Sequence, residues 1–141
     1  GATDRKLSSR KGKPMAENSN LAPRKVPLSR ARWAGSLLFI SGQLPRIPGG
    51  GMRDGPIEGQ TEQAIANLRT VLGEHGLGLE HVVKTTVWLT SAEHLDGMNK
   101  VYTDGFPEPY PTRSTVVSGL VAPADIEIEA VAYDPQRSPS S

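Results

Sequence analysis

The stretch that most constrains the fold runs from Pro111 to Tyr133. Pro111-Thr112-Arg113-Ser114-Thr115-Val116-Val117 reads as a strand, and so does Ile126-Glu127-Ile128-Glu129-Ala130-Val131-Ala132-Tyr133 after a Gly/Pro-bearing connection. In the second run a period of two puts Ile126, Ile128, Ala130 and Ala132 on one face and Glu127, Glu129, Val131 and Tyr133 on the other. The first set is a core face. The second mixes two carboxylates with valine and tyrosine, which suits neither a solvated face nor a dry core. It is expected to be covered, most simply by another copy of the chain, leaving a small polar cleft where a carboxylate can meet the Arg113 guanidinium.

The rest of the chain supplies the partners of these strands. Val26 to Trp33 and Leu37 to Gln43 are apolar-rich runs joined by Ala34-Gly35-Ser36 and read as a hairpin. The second run is apolar on consecutive positions, which predicts burial on both faces, and it ends in Ser41-Gly42, where backbone can approach a ligand closely. Pro45 to Gly55 is rich in proline and glycine and reads as a mobile loop; it lacks the Lys-Ser/Thr of a phosphate-binding loop. Gly55-Pro56 opens a helix whose stripe Ala64, Leu68, Val71 and Leu72 faces the core and which stops at Gly73 or Gly76. His81 to Thr90 reads as a strand with Val83, Thr85, Val87 and Leu89 on one face. Thr90-Ser91-Ala92-Glu93 fits a capping box, and Leu95, Met98, Val101 or Tyr102, and Phe106 continue at helical spacing. Hairpin, helix, strand, helix and two strands predict one mixed sheet with both helices on a single face, an α+β fold with its opposite face bare.

Composition narrows the function. The chain has 141 residues and no cysteine, so disulfides, Cys-type zinc sites and thiol nucleophiles are excluded. The first 14 residues hold five of the 16 basic and one of the 15 acidic residues, so the remainder is net acidic by three and lacks the footprint of a phosphate-backbone binder. Residues 1–23 read as a flexible basic tail, of which 1–14 is either an expression remnant ahead of Met15 or a native basic arm; 24–135 form the domain and 136–141 a flexible C-terminus. No apolar run approaches a membrane span and no signal peptide is evident, so a soluble cytoplasmic protein is expected.

Arg113 is the strongest site candidate. It follows a proline-bearing turn, and a guanidinium so fixed can clamp a carboxylate through two parallel hydrogen bonds; taken without the wider pattern it reads sooner as a surface arginine at a strand end. Glu127 and Glu129 share a face, and either could take a proton from water or belong to an interface ion pair. His75, His81 and His94 are scattered without metal-ligand spacing and read as solvated. Trp33, Trp88 and Tyr102 read as packing residues, since no basic groove accompanies them.

Several motifs in order resemble the Rid family, the YjgF-type reactive-imine deaminases: Ser41-Gly42-Gln43-Leu44-Pro45, Gln60-Thr61 through Asn67-Leu68, Val82-Val83-Lys84-Thr85-Thr86-Val87, Asn99-Lys100-Val101-Tyr102, Pro111-Thr112-Arg113-Ser114 and Ile126-Glu127-Ile128-Glu129-Ala130. The resemblance spans roughly Val26 to Tyr133. It implies a chorismate-mutase-like α+β fold assembled as a homotrimer with ligand clefts between subunits. It also implies hydrolysis of 2-imino acids or their 2-aminoacrylate tautomers to 2-oxo acids and ammonia, with neither metal nor organic cofactor. Carried over by motif, Arg113 binds the substrate carboxylate, Glu127 positions or activates the water, and Ser41, Gly42 and the backbone at Thr115 line the pocket. Leu28 stands where the family commonly has a ligand-contacting tyrosine, and Gly105-Phe106 where Phe-Phe is usual, so a reshaped pocket is expected, either for a larger or less polar imine or with deaminase activity lost. The alternatives are a non-catalytic trimer binding a small carboxylate or a protein partner, and, less favoured by the charge, a ribonuclease or translation inhibitor.

Overall fold

A computed structural model describes residues 25–139. The tail expected over residues 1–23 lies outside them. Five strands, β1 (Ala31–Ala34), β2 (Leu37–Gln43), β3 (Val82–Leu89), β4 (Thr112–Val117) and β5 (Ile126–Tyr133), form one sheet in the order β1-β2-β5-β3-β4. Only β3 and β4 run parallel, joined by the helix α2 (Leu95–Gly105) as a parallel pair requires. The other helix, α1 (Ile57–Glu74), connects β2 to β3.

Both helices cover the same face of the sheet. The α1 stripe Ala64, Leu68, Val71 and Leu72 packs with Leu38 and Ile40 of β2, Val87 and Leu89 of β3 and Ile126, Ile128, Ala130 and Ala132 of β5 in one core. Met98, Tyr102 and Phe106 bring α2 into it. Gly76, at φ +76°, takes the left-handed conformation that ends the first helix. Pro56 sits one position before the first helical residue rather than at it.

Several local expectations are corrected. The first strand begins at Ala31, not Val26, because 25–30 is exposed and turns on itself, with Leu28 N–H donating to Val26 C=O at 2.8 Å. β2 is buried on one face only: Leu38 and Ile40 face the helices, whereas Phe39 is 47% exposed on the uncovered side. Pro45–Gly55 is closed by an Arg46–Met52 bridge and by hydrogen bonds from Ile47 to Gly51 and from Arg53 to Pro45, a small hairpin in place of a loose loop. In β3 a register shift between Val82 and Lys84 inserts one residue, so Val82 and Thr85 point inward while Val83 is turned out. The cap of the second helical segment is Ser91, whose hydroxyl accepts from Glu93 N–H; the Thr90 hydroxyl instead donates to Asp125 at 2.6 Å.

The three histidines are anchored, not simply solvated. His75 Nδ1 lies 2.8 Å from Val71 C=O, His81 Nδ1 accepts Gly78 N–H at 3.0 Å, and His94 Nε2 lies 3.8 Å from Asp125. At the other end of the sheet, Arg137 stacks over Trp33 at 4.1 Å and donates to Gly35 C=O, tying the segment after β5 across the β1–β2 turn.

Candidate functional site

Arg113 lies on the free edge of the sheet. Its β3 neighbour in register is Thr85, which is itself opposite Ala130 of β5, so Arg113, Thr85 and Ala130 share the helix-covered face. From there the guanidinium reaches α2: its carbon stands 4.8 Å from the Tyr102 ring centroid and Nη1 donates to the Met98 thioether at 3.8 Å. No carboxylate pairs with it among the described residues. It lines a pocket of about 210 Å³ with Tyr102, Thr103, Tyr110 and Pro111. Thr115 stands two residues on and faces the same way. Since Ser118 N–H donates to Leu89 C=O, alternation turns the backbone groups of Ser114 and Val116 toward β3 and those of Arg113 and Thr115 to the open edge.

Glu127 occupies the other face. Its register partner is Trp88, while Glu129 pairs with Thr86, and among the described residues no helix covers this side. The carboxylate lies against Gly42 so closely that a Cβ at position 42 would collide with Glu127 Oε2. The glycine leaves this space to the carboxylate, since any side chain at position 42 would have to displace the flexible end of Glu127. Glu127 is half-buried and has no hydrogen-bond donor among the described residues. Burial first, and the neighbouring Glu129 charge second, raise its pKa above the ordinary glutamate value.

Ser41 belongs to β2, the strand next to this carboxylate's strand, and Leu28 to the exposed segment that precedes β1. The Ser41 hydroxyl donates to Ser29 C=O at 2.5 Å, and its N–H donates to Arg30 C=O, so Ser41 ties the exposed Leu28-Ser29 segment to β2. Ser29, Ser41, Arg32, Lys84 and Glu129 help line a depression of about 400 Å³ on the uncovered face.

The predicted site residues thus form two groups. Gly42 and Glu127 come together on the uncovered face, with Ser41 adjacent in β2, while Leu28 stays exposed on the segment before β1; Arg113 and Thr115 come together at the β4 edge. A single protomer does not join the groups, because the register sets Arg113 and Glu127 on opposite sides of the sheet. Sequence reasoning missed that Tyr102 touches Arg113. Its helical spacing marked it only as core, and nothing in a linear pattern shows which strand residue lies over a helix ring.

A second polar cluster braces the fold. Buried Gln60 donates to Asp125 Oδ2 at 3.0 Å and accepts the Asp125 N–H at 2.9 Å, fixing the start of α1 to the start of β5. The Thr90 and Gln60 hydrogen bonds hold the Asp125 carboxyl below its ordinary pKa.

The family described as Endoribonuclease L-PSP matches residues 19–134. The chain belongs to the YjgF/Rid family. A RutC family protein of Pyrococcus horikoshii is 42% identical over 115 residues, covering 79% of this chain and 91% of that protein. A chloroplastic Reactive Intermediate Deaminase A of Arabidopsis thaliana is 40% identical over 108 residues, covering 75% of this chain and 58% of that one. Among solved structures, RidA from an Antarctic Psychrobacter superposes with a TM-score of 0.73 at 34% identity, covering 80% of this chain and 94% of its own. The E. coli protein TdcF with bound serine gives 0.72 at 30% identity, covering 79% and 91%. The YjgF/Rid relatives include proteins named as mitochondrial and chloroplastic. Among the described residues no helix is long and apolar enough to cross a membrane.

Proposed function

We propose that this chain assembles as a homotrimer and hydrolyses 2-imino acids and their enamine tautomers to 2-oxo acids and ammonia. The observation that carries the reading is Glu127: a half-buried carboxylate with no donor among the described residues, held over Gly42 with a raised pKa, is suited to taking a proton from water. Arg113, a cation with no carboxylate partner among the described residues, is suited to gripping the acid end of the substrate. A site that uses both takes Glu127 from one copy and Arg113 from the next, which a cyclic head-to-tail interface provides. The Thr115 backbone at the open β4 edge then faces the same ligand as Gly42, and Leu28 adds an apolar side chain where a phenol is usual. The TdcF structure, with its bound α-amino acid, and the relative named as a deaminase point to the same ligand class.

The chemistry asks little else of the protein. With the carboxylate of an iminium substrate held by Arg113, water attacks the already electrophilic carbon while Glu127 takes one of its protons. Glu127 returns that proton to the amino nitrogen of the carbinolamine. The C–N bond then breaks as the hydroxyl proton passes to Glu127, leaving the 2-oxo acid; Glu127 protonates the departing ammonia to ammonium and is again a carboxylate. One water is consumed and no electrons are transferred. A cytoplasmic setting belongs to this reading through the cysteine-free composition. Ribonuclease action fits less well, because residues 15–141 are net acidic.

The test is to generate 2-aminoacrylate with a dehydratase, or longer imino acids with an amino-acid oxidase, and to follow 2-oxo-acid release. Wild-type protein should accelerate release over the spontaneous rate, with a larger effect on longer apolar imines. Thermal stabilisation by a 2-oxo acid without any acceleration would instead support the non-catalytic carboxylate-binding trimer. Gly42→Ala offers an independent check: the added methyl displaces the Glu127 carboxylate, and kcat should fall about 10²-fold with the fold intact, as expected for a misplaced catalytic group. An unchanged kcat both in that variant and in Glu127→Gln would remove Glu127 from the reaction.

A further inference from the structure

We propose that Tyr102 is a positioning residue, whose ring presets the Arg113 guanidinium for the substrate carboxylate. The inference rests on the reading of Arg113 given above and deepens it. Helical spacing accounts for the Tyr102 ring as core, but a core position does not call for its hydroxyl. That hydroxyl lies 2.8 Å from the Thr85 hydroxyl, and each buried group satisfies the other. Thr85 is also the β3 residue in register with Arg113. The three side chains therefore close a loop: Thr85 and Arg113 are neighbours on adjacent strands, and Tyr102 spans them from α2.

The ring is held in more than one way. Thr85 pins its tip, and Phe106 stacks on it with centroids 4.4 Å apart and planes 29° from parallel. The guanidinium carbon stands 4.8 Å from the ring centroid, within the range of a cation–π contact. This contact and the weak Met98 acceptor fix the arginine without neutralising it. A carboxylate partner would restrain Arg113 as well, but would compete with the substrate acid for the same donors. An aromatic face leaves the in-plane N–H groups available. Tyr102 and Arg113 also line the same pocket of about 210 Å³, so the orientation set by the ring is the orientation presented to a ligand there.

The test compares Tyr102→Phe and Tyr102→Leu by the Nε–H resonance of Arg113, assigned with Arg113→Lys, together with KM and kcat for an imino acid. In the wild type, the Arg113 resonance should be displaced by the ring current and show contacts to the Tyr102 ring protons. Tyr102→Phe keeps the ring and its Phe106 stack but loses the Thr85 hydrogen bond, so it should keep most of that displacement and raise KM by less than Tyr102→Leu does. Tyr102→Leu should abolish it and raise KM about tenfold while kcat stays within about twofold. Equal kinetic effects of the two variants, or an Arg113 resonance that neither moves, would assign Tyr102 to packing alone. If Tyr102→Leu does not fold, the wild-type spectrum decides: absence of contacts between Arg113 and the Tyr102 ring overturns the proposal. If no imine is turned over and no 2-oxo acid binds, the functional reading fails, while the resonance still reports whether the ring holds the cation.

Discussion

Glu127→Gln is expected to lower kcat for imine hydrolysis by about 10²- to 10⁴-fold, the usual effect of deleting a positioned general base. Glutamine keeps the shape over Gly42 and removes the group that accepts the water proton. The base works when ionised, so wild-type activity should fall as the pH drops through a Glu127 pKa lying above the ordinary glutamate value, and that limb should be missing from the variant. The same shift has an opposite signature in stability. A carboxyl with a raised folded-state pKa binds more protons folded than unfolded between the two values, so its contribution to stability declines as the pH rises through that window. Glu127→Gln should therefore melt higher than wild type above the window and lose that advantage below it. Activity lost and stability gained together mark a group kept for chemistry, not for the fold.

Arg113→Ala is expected to lower kcat/KM by about 10²-fold or more. Two charge-assisted hydrogen bonds to a carboxylate, each contributing roughly 1.5 to 3 kcal/mol in a site closed to water, give a loss of at least that size. Arg113→Lys should recover only part of it, because an ammonium cannot match the two carboxylate oxygens in parallel. Binding of a 2-oxo acid, measured by calorimetry, should weaken in step. The alanine variant should fold normally, since Arg113 is exposed and its contacts are a ring face and a thioether. Full activity in Arg113→Ala would show that the substrate acid is gripped elsewhere.

The parts of this arrangement that were legible in the sequence follow from periodicity. Alternation in Ile126–Tyr133 correctly separated the buried Ile126, Ile128, Ala130 and Ala132 from Glu127 and Glu129, because a central strand holds a strict period over its whole length. The α1 stripe was equally clear. Val83 was misplaced because one inserted residue reverses the faces of everything on one side of it, and no residue type announces that insertion. Phe39 was expected to be buried because consecutive apolar residues resemble a strand covered on both faces, whereas among the described residues only one face carries helices. The opposition of Arg113 and Glu127 was not legible at all. It depends on two registers across three strands, β5 to β3 and β3 to β4, and each is fixed by packing far from either residue. The Gly42 contact with Glu127 is of the same kind, a relation between strands that neither strand's own pattern contains.

Because the register keeps Arg113 and Glu127 on opposite faces of one sheet, activity that needs both must combine residues of two copies. The direct measurement is to mix the separately inactive Arg113→Ala and Glu127→Gln proteins, unfold and refold them together, and assay imine hydrolysis. In randomly mixed cyclic trimers, about a quarter of the interfaces should join an intact Arg113 to an intact Glu127 and regain activity in that proportion. A refolded mixture no more active than either variant alone would contradict the shared site.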